Sequence, residues 1–305
     1  MSFDLTPIKP GKSGFSRIFA CIFKQRSKLI KCPTNINLTG KNILITGGTA
    51  GIGEFISRGL HAAGANVTSL SRGISNCNKS VKDVESLNCD LSNPESISRV
   101  IDYLSSKKFD ILICNSGIMS KTFQLTPSGL ERTYAVNVVG HHLLYRLLID
   151  KRMLNNNARI IITTGEAYQS HSNTAATINT YNGMKAYGSS KLANLWQVLG
   201  LSKHYPMFKA IAIHPGVIAS GFANAKKSGF YHWLRTKLLI SEEEGAQAAL
   251  IAATQNIPNG AYWHNTLGIV DLPEDDIAKN PVKANEQWQE LETICRPWLT
   301  SSEIN

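Results

Sequence analysis

Lys41-Asn-Ile-Leu-Ile-Thr-Gly-Gly-Thr-Ala-Gly-Ile-Gly53 opens the body of this 305-residue chain. Its first half is a short apolar run of strand type, the glycines follow at once, and Glu54 to Ala63 reads as a helix. A strand, a glycine turn and a helix opening are the context that a phosphate-binding fingerprint requires. Gly47 allows the tight turn, Gly51 lets backbone N–H groups approach a pyrophosphate, and Gly53 lets helix and strand pack closely. Thr49 and Ile52 complete the turn, and the helix N-terminus adds positive potential. The next strand, Ala65 to Ser71, ends at Arg72. An acidic residue there would accept hydrogen bonds from a ribose 2′-hydroxyl. A guanidinium favours a 2′-phosphate instead, hence NADP(H) over NAD(H).

Outward from this unit the pattern repeats. Val84 to Leu91 reads as a third strand carrying Asp90, and Pro94 starts the following helix. Phe109 to Cys114 is a fourth strand, running into Asn115-Ser-Gly117. Strands alternating with helices specify an α/β fold with a doubly wound parallel sheet. Ligands then bind beyond the carboxyl ends of the strands.

Further along, Tyr187-Gly-Ser-Ser-Lys191 sets a tyrosine and a lysine four apart, on one helix face. A fixed ammonium favours phenolate over phenol. That makes a side chain with an ordinary pKa of ~10 usable as an acid or base at neutral pH. Tyr181-Asn-Gly-Met-Lys185 has the same spacing, so spacing alone does not choose between them.

Hydrophobic content of 43% and charged content of 18% describe a globular protein with ample core. The six cysteines are scattered without C-x-x-C spacing, which reads as reduced thiols. No metal site is expected, since none of the eight histidines has ligand spacing either. Residues 1–41 hold eight Lys/Arg against Asp4, so +7 of the net +10 sits there and +3 on the remaining 264. A near-neutral body argues against a nucleic-acid partner. In the leader, Phe15, Ile18, Phe19, Ile22 and Phe23 form one helical stripe among basic residues. No apolar run approaches the ~20 residues that cross a bilayer. Three readings stay open for residues 12–31: docking on the body, a peripheral membrane contact, or a mitochondrial-type presequence. The protein is therefore expected to be intracellular, cytoplasmic or peripheral on an internal membrane. Residues 1–39 are expected to form a basic amphipathic extension and linker, and 40–300 one domain.

Taken in this order, the motifs resemble the short-chain dehydrogenase/reductase family, above all its retinol-dehydrogenase-like branch, over roughly residues 40 to 290. Thr46-Gly-Gly-Thr-Ala-Gly-Ile-Gly53 matches T-G-x-x-x-G-x-G, and Asn115-Ser-Gly117 resembles the N-N-A-G segment. The resemblance implies a Rossmann-type single domain, with Asp90 at the adenine and Asn115 and Gly117 lining the cofactor. It places Pro215, Gly216 and Val217 of His214-Pro-Gly-Val217 near the nicotinamide, and a Ser220 hydroxyl at its carboxamide. Asn137, in Tyr134-Ala-Val-Asn-Val-Val-Gly140, matches the catalytic asparagine, which supports a water linking Lys191 to solvent. The branch's Y-N-x-x-x-A-Y-x-x-S-K-L-A-N run aligns with Tyr181 to Asn194. Tyr187 and Lys191 then take the catalytic and cofactor-binding positions, and Tyr181 is a packing residue at the site's edge.

One position departs from the pattern. The strand ending Ile160-Ile-Ile-Thr163 should run into a catalytic serine, which donates a hydrogen bond to the substrate carbonyl oxygen, but Gly165 stands there. Losing one such donor costs about 10²–10³ in rate. Thr164, brought in by a bulge, is the expected substitute, with Ser170, Ser172 or a water as others. Phe222 to Ile240 is aromatic and partly basic, suiting either a lid over a lipophilic substrate or a packing helix. The resemblance implies an NADP(H)-dependent oxidoreductase interconverting a carbonyl and an alcohol. The alternative is a dinucleotide-binding sensor or scaffold with little turnover.

Overall fold

Ile43, Leu44, Ile45 and Thr46 are all fully buried, the condition for a strand inside a parallel sheet covered on both faces. The computed structural model describes residues 4–10, 15–72, 81–172, 177–218 and 238–299, and the side chains of all these except 15–20 and 24. Ser220 and most of the 222–240 segment lie outside the described residues. The sheet is built from β1 (Asn42–Thr46), β2 (Asn66–Ser71), β3 (Glu85–Asn88), β4 (Phe109–Cys114), β5 (Leu154–Thr163), β6 (Lys209–His214), β7 (Tyr262–His264) and β8 (Gly268–Ile269). Its order is β3-β2-β1-β4-β5-β6-β7-β8. All neighbours pair in parallel except β7 and β8. The chain steps outward from β1 through β2 to β3, then crosses back to β4. The crevice at that reversal opens beside Thr46 and Cys114, where such sheets bind ligands.

Alternation along the strands divides the core in two. Leu44, Leu112, Cys114, Ile160 and Ile162 enter one cluster, and Ile43, Ile45, Ile111, Ile113 and Ile161 the other. The first is covered by α3 (Pro94–Tyr103), α4 (Gly140–Asp150), α5 (Gly183–His204) and α7 (Pro281–Cys295), which supply Ile97, Leu144, Val198 and Leu291. The second is covered by α2 (Gly51–Ala62) and α6 (Glu242–Thr254), through Ile56, Leu60, Ala249 and Ile251. A capping box opens α6: Ser241 Oγ accepts from the Glu244 amide, and the Glu244 carboxylate accepts from Ser241 N–H.

The leader lies against the β7–β8 end of the sheet. Ile8 pairs with Val270, and the Ile30 amide donates to Asn265. In its helix α1 (Phe15–Lys28), Phe23 is 65% exposed while Cys21 and the polar Gln25 are buried. No helix among the described residues is long and apolar enough to cross a membrane.

Candidate functional site

The fingerprint turn is shaped by backbone contact. Gly47 has φ +70° and Gly51 φ +58°. A Cβ on Gly53 would sit 1.9 Å from the Gly47 carbonyl oxygen, so only glycine lets α2 start this close to β1. Thr49 and Ile52 are half-buried in the same turn. Thr46 ties the turn to the next loop: its Oγ1 accepts from the amides of Asn115 and Ser116 at 3.0 Å each. At the neighbouring strand ends Arg72 is exposed, and the Asp90 carboxylate accepts from Ser92 N–H and Oγ–H at 2.9 and 2.8 Å.

Helix α5 separates the two tyrosines. Asn182 caps it, accepting from Met184 and Lys185 N–H, so the helix begins at Gly183 and Tyr181 precedes it. Tyr181 donates to Ser120 O and Glu131 at 3.1 Å, and Lys185 is exposed. Tyr187 and Lys191 lie one turn apart inside the helix, with Lys191 Nζ 5.3 Å from the Tyr187 ring centre. Lys191 donates to Thr163 O at 2.9 Å, an oxygen shared with Asn194 Nδ2 at 3.1 Å.

Asn137 meets this pair from a π-helical turn, Ala135–Val139, just before α4. Its carboxamide is held by Ile118 N–H and C=O, and Nδ2 also donates to Ser190 Oγ at 2.9 Å. Gly117 closes the group, since a Cβ there would lie 3.5 Å from Asn137 Oδ1 and 3.6 Å from Lys191 Nζ. The structure thus brings Gly117, Asn137, Tyr187 and Lys191 together. Burial pushes the Tyr187 phenol up to about 12 and the Lys191 ammonium down to about 8. The ammonium lies over the ring and donates to Thr163 O, and desolvation is the cause of both shifts.

His141 joins this group through Thr46 and Asn137. Fully buried, it bridges the Asn137 carbonyl (Nδ1, 3.2 Å) and Thr46 Oγ1 (Nε2, 2.9 Å). A carbonyl only accepts, so Nδ1 carries the proton and Nε2 accepts from the threonine hydroxyl. Burial drops its pKa to about 4, which keeps this tautomer neutral. The i, i+4 spacing from Asn137 was the available signal. His142 is also buried and bonds to Glu292 at 2.8 Å and to Tyr145.

Two of the hydroxyls expected to replace the missing serine donate elsewhere in this structure. The β5–β6 register runs unbroken to Thr163, without the bulge that would turn Thr164 inward. The Thr164 hydroxyl donates to Lys191 O at 2.7 Å, and that of Ser170 to Ala167 O at 2.7 Å. A hydroxyl has one proton, and both are committed to backbone carbonyls. At Gly165 an added Cβ would meet His214 Nδ1 at 3.2 Å, so the imidazole borders the place where the serine side chain would project. On the Pro215-Gly216-Val217 loop, Gly216 has φ +98° and Asn265 Nδ2 donates to Pro215 O. The Val217 amide donates to Gln25 Oε1 at 2.9 Å, while Gln25 Nε2 donates to Val217 O at 3.0 Å and Leu238 O at 2.7 Å.

Residues 41–229 match the family described as short chain dehydrogenase. Retinol dehydrogenase 12 of Mus musculus is 30% identical over 242 residues, 73% of this chain and 76% of the relative. The WW domain-containing oxidoreductase of Gallus gallus is 27% identical, covering 86% of this chain and 70% of its own. Among solved structures, an uncharacterised protein from Mycobacterium paratuberculosis superposes with a TM-score of 0.71 at 25% identity, over 88% of this chain and 98% of that one. A Burkholderia cenocepacia short chain dehydrogenase in complex with NADP has the same fold, with a TM-score of 0.62 at 21% identity over 76% and 98% of the two chains. Fold, fingerprint and the Tyr187–Lys191 helix therefore agree with the match along the sequence, and the chain belongs to the short-chain dehydrogenase/reductase family of oxidoreductases.

Proposed function

We propose that this chain interconverts a carbonyl and an alcohol with NADP(H), on a lipophilic substrate. The observation that carries the reading is the cluster of Tyr187, Lys191, Asn137 and Gly117 at the carboxyl end of the sheet. The glycine turn fits a dinucleotide, because Gly47, Gly51 and Gly53 leave its backbone free of Cβ atoms. The nicotinamide supplies or accepts the hydride. Tyr187, protonated at neutral pH, donates its proton to the substrate oxygen in reduction and takes it back in oxidation. Lys191, charged below about pH 8, stabilises the phenolate left by that donation. Asn137 and His141 hold the turn that faces Lys191, and Asn137 supports a water between Lys191 and solvent. Retinol dehydrogenases among the relatives support the lipophilic substrate. A panel of retinoids, steroids and fatty aldehydes with NADPH tests the whole; cofactor binding without reduction of any would defeat it.

Exposed Arg72 at the end of β2 supports NADP(H) over NAD(H). Arg72→Ala should weaken NADPH binding about 10- to 100-fold, the worth of a charge-assisted contact of roughly 1.5–3 kcal/mol. NADH affinity should hardly move. Equal NADPH and NADH affinity in the parent would refute the preference.

Gly165 favours the second reading, a dinucleotide-binding protein with little turnover, because the Thr164 and Ser170 hydroxyls are committed to backbone carbonyls. Gly165→Ser distinguishes the two. If a donor is what the site lacks, kcat/KM should rise about 10²–10³-fold. The His214 ring must yield slightly to the new Cβ, at a cost of about 1 kcal/mol in stability. An unchanged rate in a folded variant would show that turnover is not limited by this position.

A further inference from the structure

We propose that Cys21, His214 and His264 form a binding site for a zinc-class divalent metal ion, which pins helix α1 to the ends of β6 and β7. The three side chains come from distant parts of the chain, 193 and 243 residues from the cysteine, and all are buried. Their ligand atoms lie within 4.8 Å of one another, with Cys21 Sγ 3.5 Å from His214 Nε2 and 3.4 Å from His264 Nε2. In a tetrahedral site with metal–sulfur bonds of about 2.3 Å and metal–nitrogen bonds of 2.0–2.1 Å, the S···N edge is about 3.5 Å. The observed separations of 3.5 and 3.4 Å lie close to that edge. A thiolate and two imidazoles suit zinc and its neighbours, while magnesium and calcium want oxygen. Three protein ligands leave a fourth position for water.

The way α1 is held points in the same direction. Of its side chains described here, the buried ones are Cys21 and Gln25, one turn apart, whereas Phe23 is turned to solvent. Specific polar bonds therefore help to fasten the described part of this helix. Gln25 holds the Val217 loop, and Cys21 reaches the two histidines.

A hydrogen-bonded trio without metal is the competing account, and His264 speaks for it. The Thr266 amide donates to His264 Nδ1 at 3.2 Å, which places the ring proton on Nε2, facing the sulfur. Metal binding expels the Cys21 thiol proton to solvent and moves the His264 proton to Nδ1, where Thr266 Oγ1, 3.0 Å away, accepts it. What is given up is the Thr266 N–H···N contact and the two weak hydrogen bonds of Cys21 to the histidines; what is gained is three metal–ligand bonds.

Full-length protein stripped with a chelator and titrated with cobalt(II) tests the site independently of any enzymatic activity. The expected result is one tightly bound equivalent with a near-ultraviolet thiolate-to-cobalt band, displaced by zinc. Cys21→Ala and His264→Asn should lose the band and weaken zinc at least about 100-fold, more than the loss of a supporting group outside the ligand set. Zinc should raise the Tm of the parent and not of Cys21→Ala, with circular dichroism checking that each apo variant is folded. Failure of the parent to bind a stoichiometric metal overturns the proposal whatever the variants do. A thiolate band that persists in Cys21→Ala overturns it as well.

Discussion

Tyr187→Phe is expected to lower kcat/KM for carbonyl reduction by at least about 10²–10⁴-fold, the contribution of a positioned general acid. The substitution removes one oxygen and keeps the ring beneath Lys191 Nζ, so the packing of α5 is preserved. The glycine turn, Arg72 and the Pro215 loop are untouched, so NADPH affinity measured by fluorescence should change little. A loss of affinity as large as the loss of rate would mean that the phenol acts in binding. Tyr181→Phe is the natural control. Its hydroxyl serves Ser120 O and Glu131 ahead of the helix, and its removal should leave most of the rate.

Lys191→Met should abolish turnover and yet make the protein more stable at pH 7. The folded chain holds this ammonium at a pKa of about 8 against an ordinary 10.5, a shift of roughly 2.5 units or ~3 kcal/mol. The sign is fixed by proton counts. Between about pH 8 and 10.5 the unfolded chain binds more protons than the folded one, so the parent gains stability as pH rises. Below about pH 8 the full cost of burying the charge applies. Methionine escapes it, and Thr163 O keeps its bond from Asn194 Nδ2, so no acceptor is orphaned. The expected gain is about 2 kcal/mol at pH 7, a rise of a few degrees in Tm, shrinking to nothing near pH 10.5. Equal or lower Tm at pH 7 would show that Lys191 is not destabilising. Such a trade of stability for function is common at sites holding a buried charge.

What the sequence made legible was decided by backbone sterics and alternation. Gly47, Gly51 and Gly53 stand where a Cβ is strained or blocked, and Phe109–Cys114 is the strand its apolar run predicts. The choice of Tyr187 over Tyr181 follows physically from Asn182, whose cap starts the helix after the first tyrosine. Other features depend on partners remote in the chain. Nothing local shows that His214 borders Gly165, or that Thr164 spends its hydroxyl on Lys191 O. The stripe in α1 is a genuine helical period, but tertiary contacts buried Gln25 and left Phe23 exposed. Strand β8 is two residues long and antiparallel, too short for any periodicity to reveal. His141 and the Cys21–His214–His264 trio likewise emerge only once the strand ends are assembled.

The central claim is that Tyr187 completes a reductase on this fold. Single-turnover mixing of the full-length protein with NADPH deuterated at C4 and the carbonyl panel tests it most directly. The parent should transfer deuterium into an alcohol product, and Tyr187→Phe should not. Saturating NADPH binding with no deuterated alcohol from any carbonyl would contradict the claim and leave a dinucleotide-binding protein without turnover.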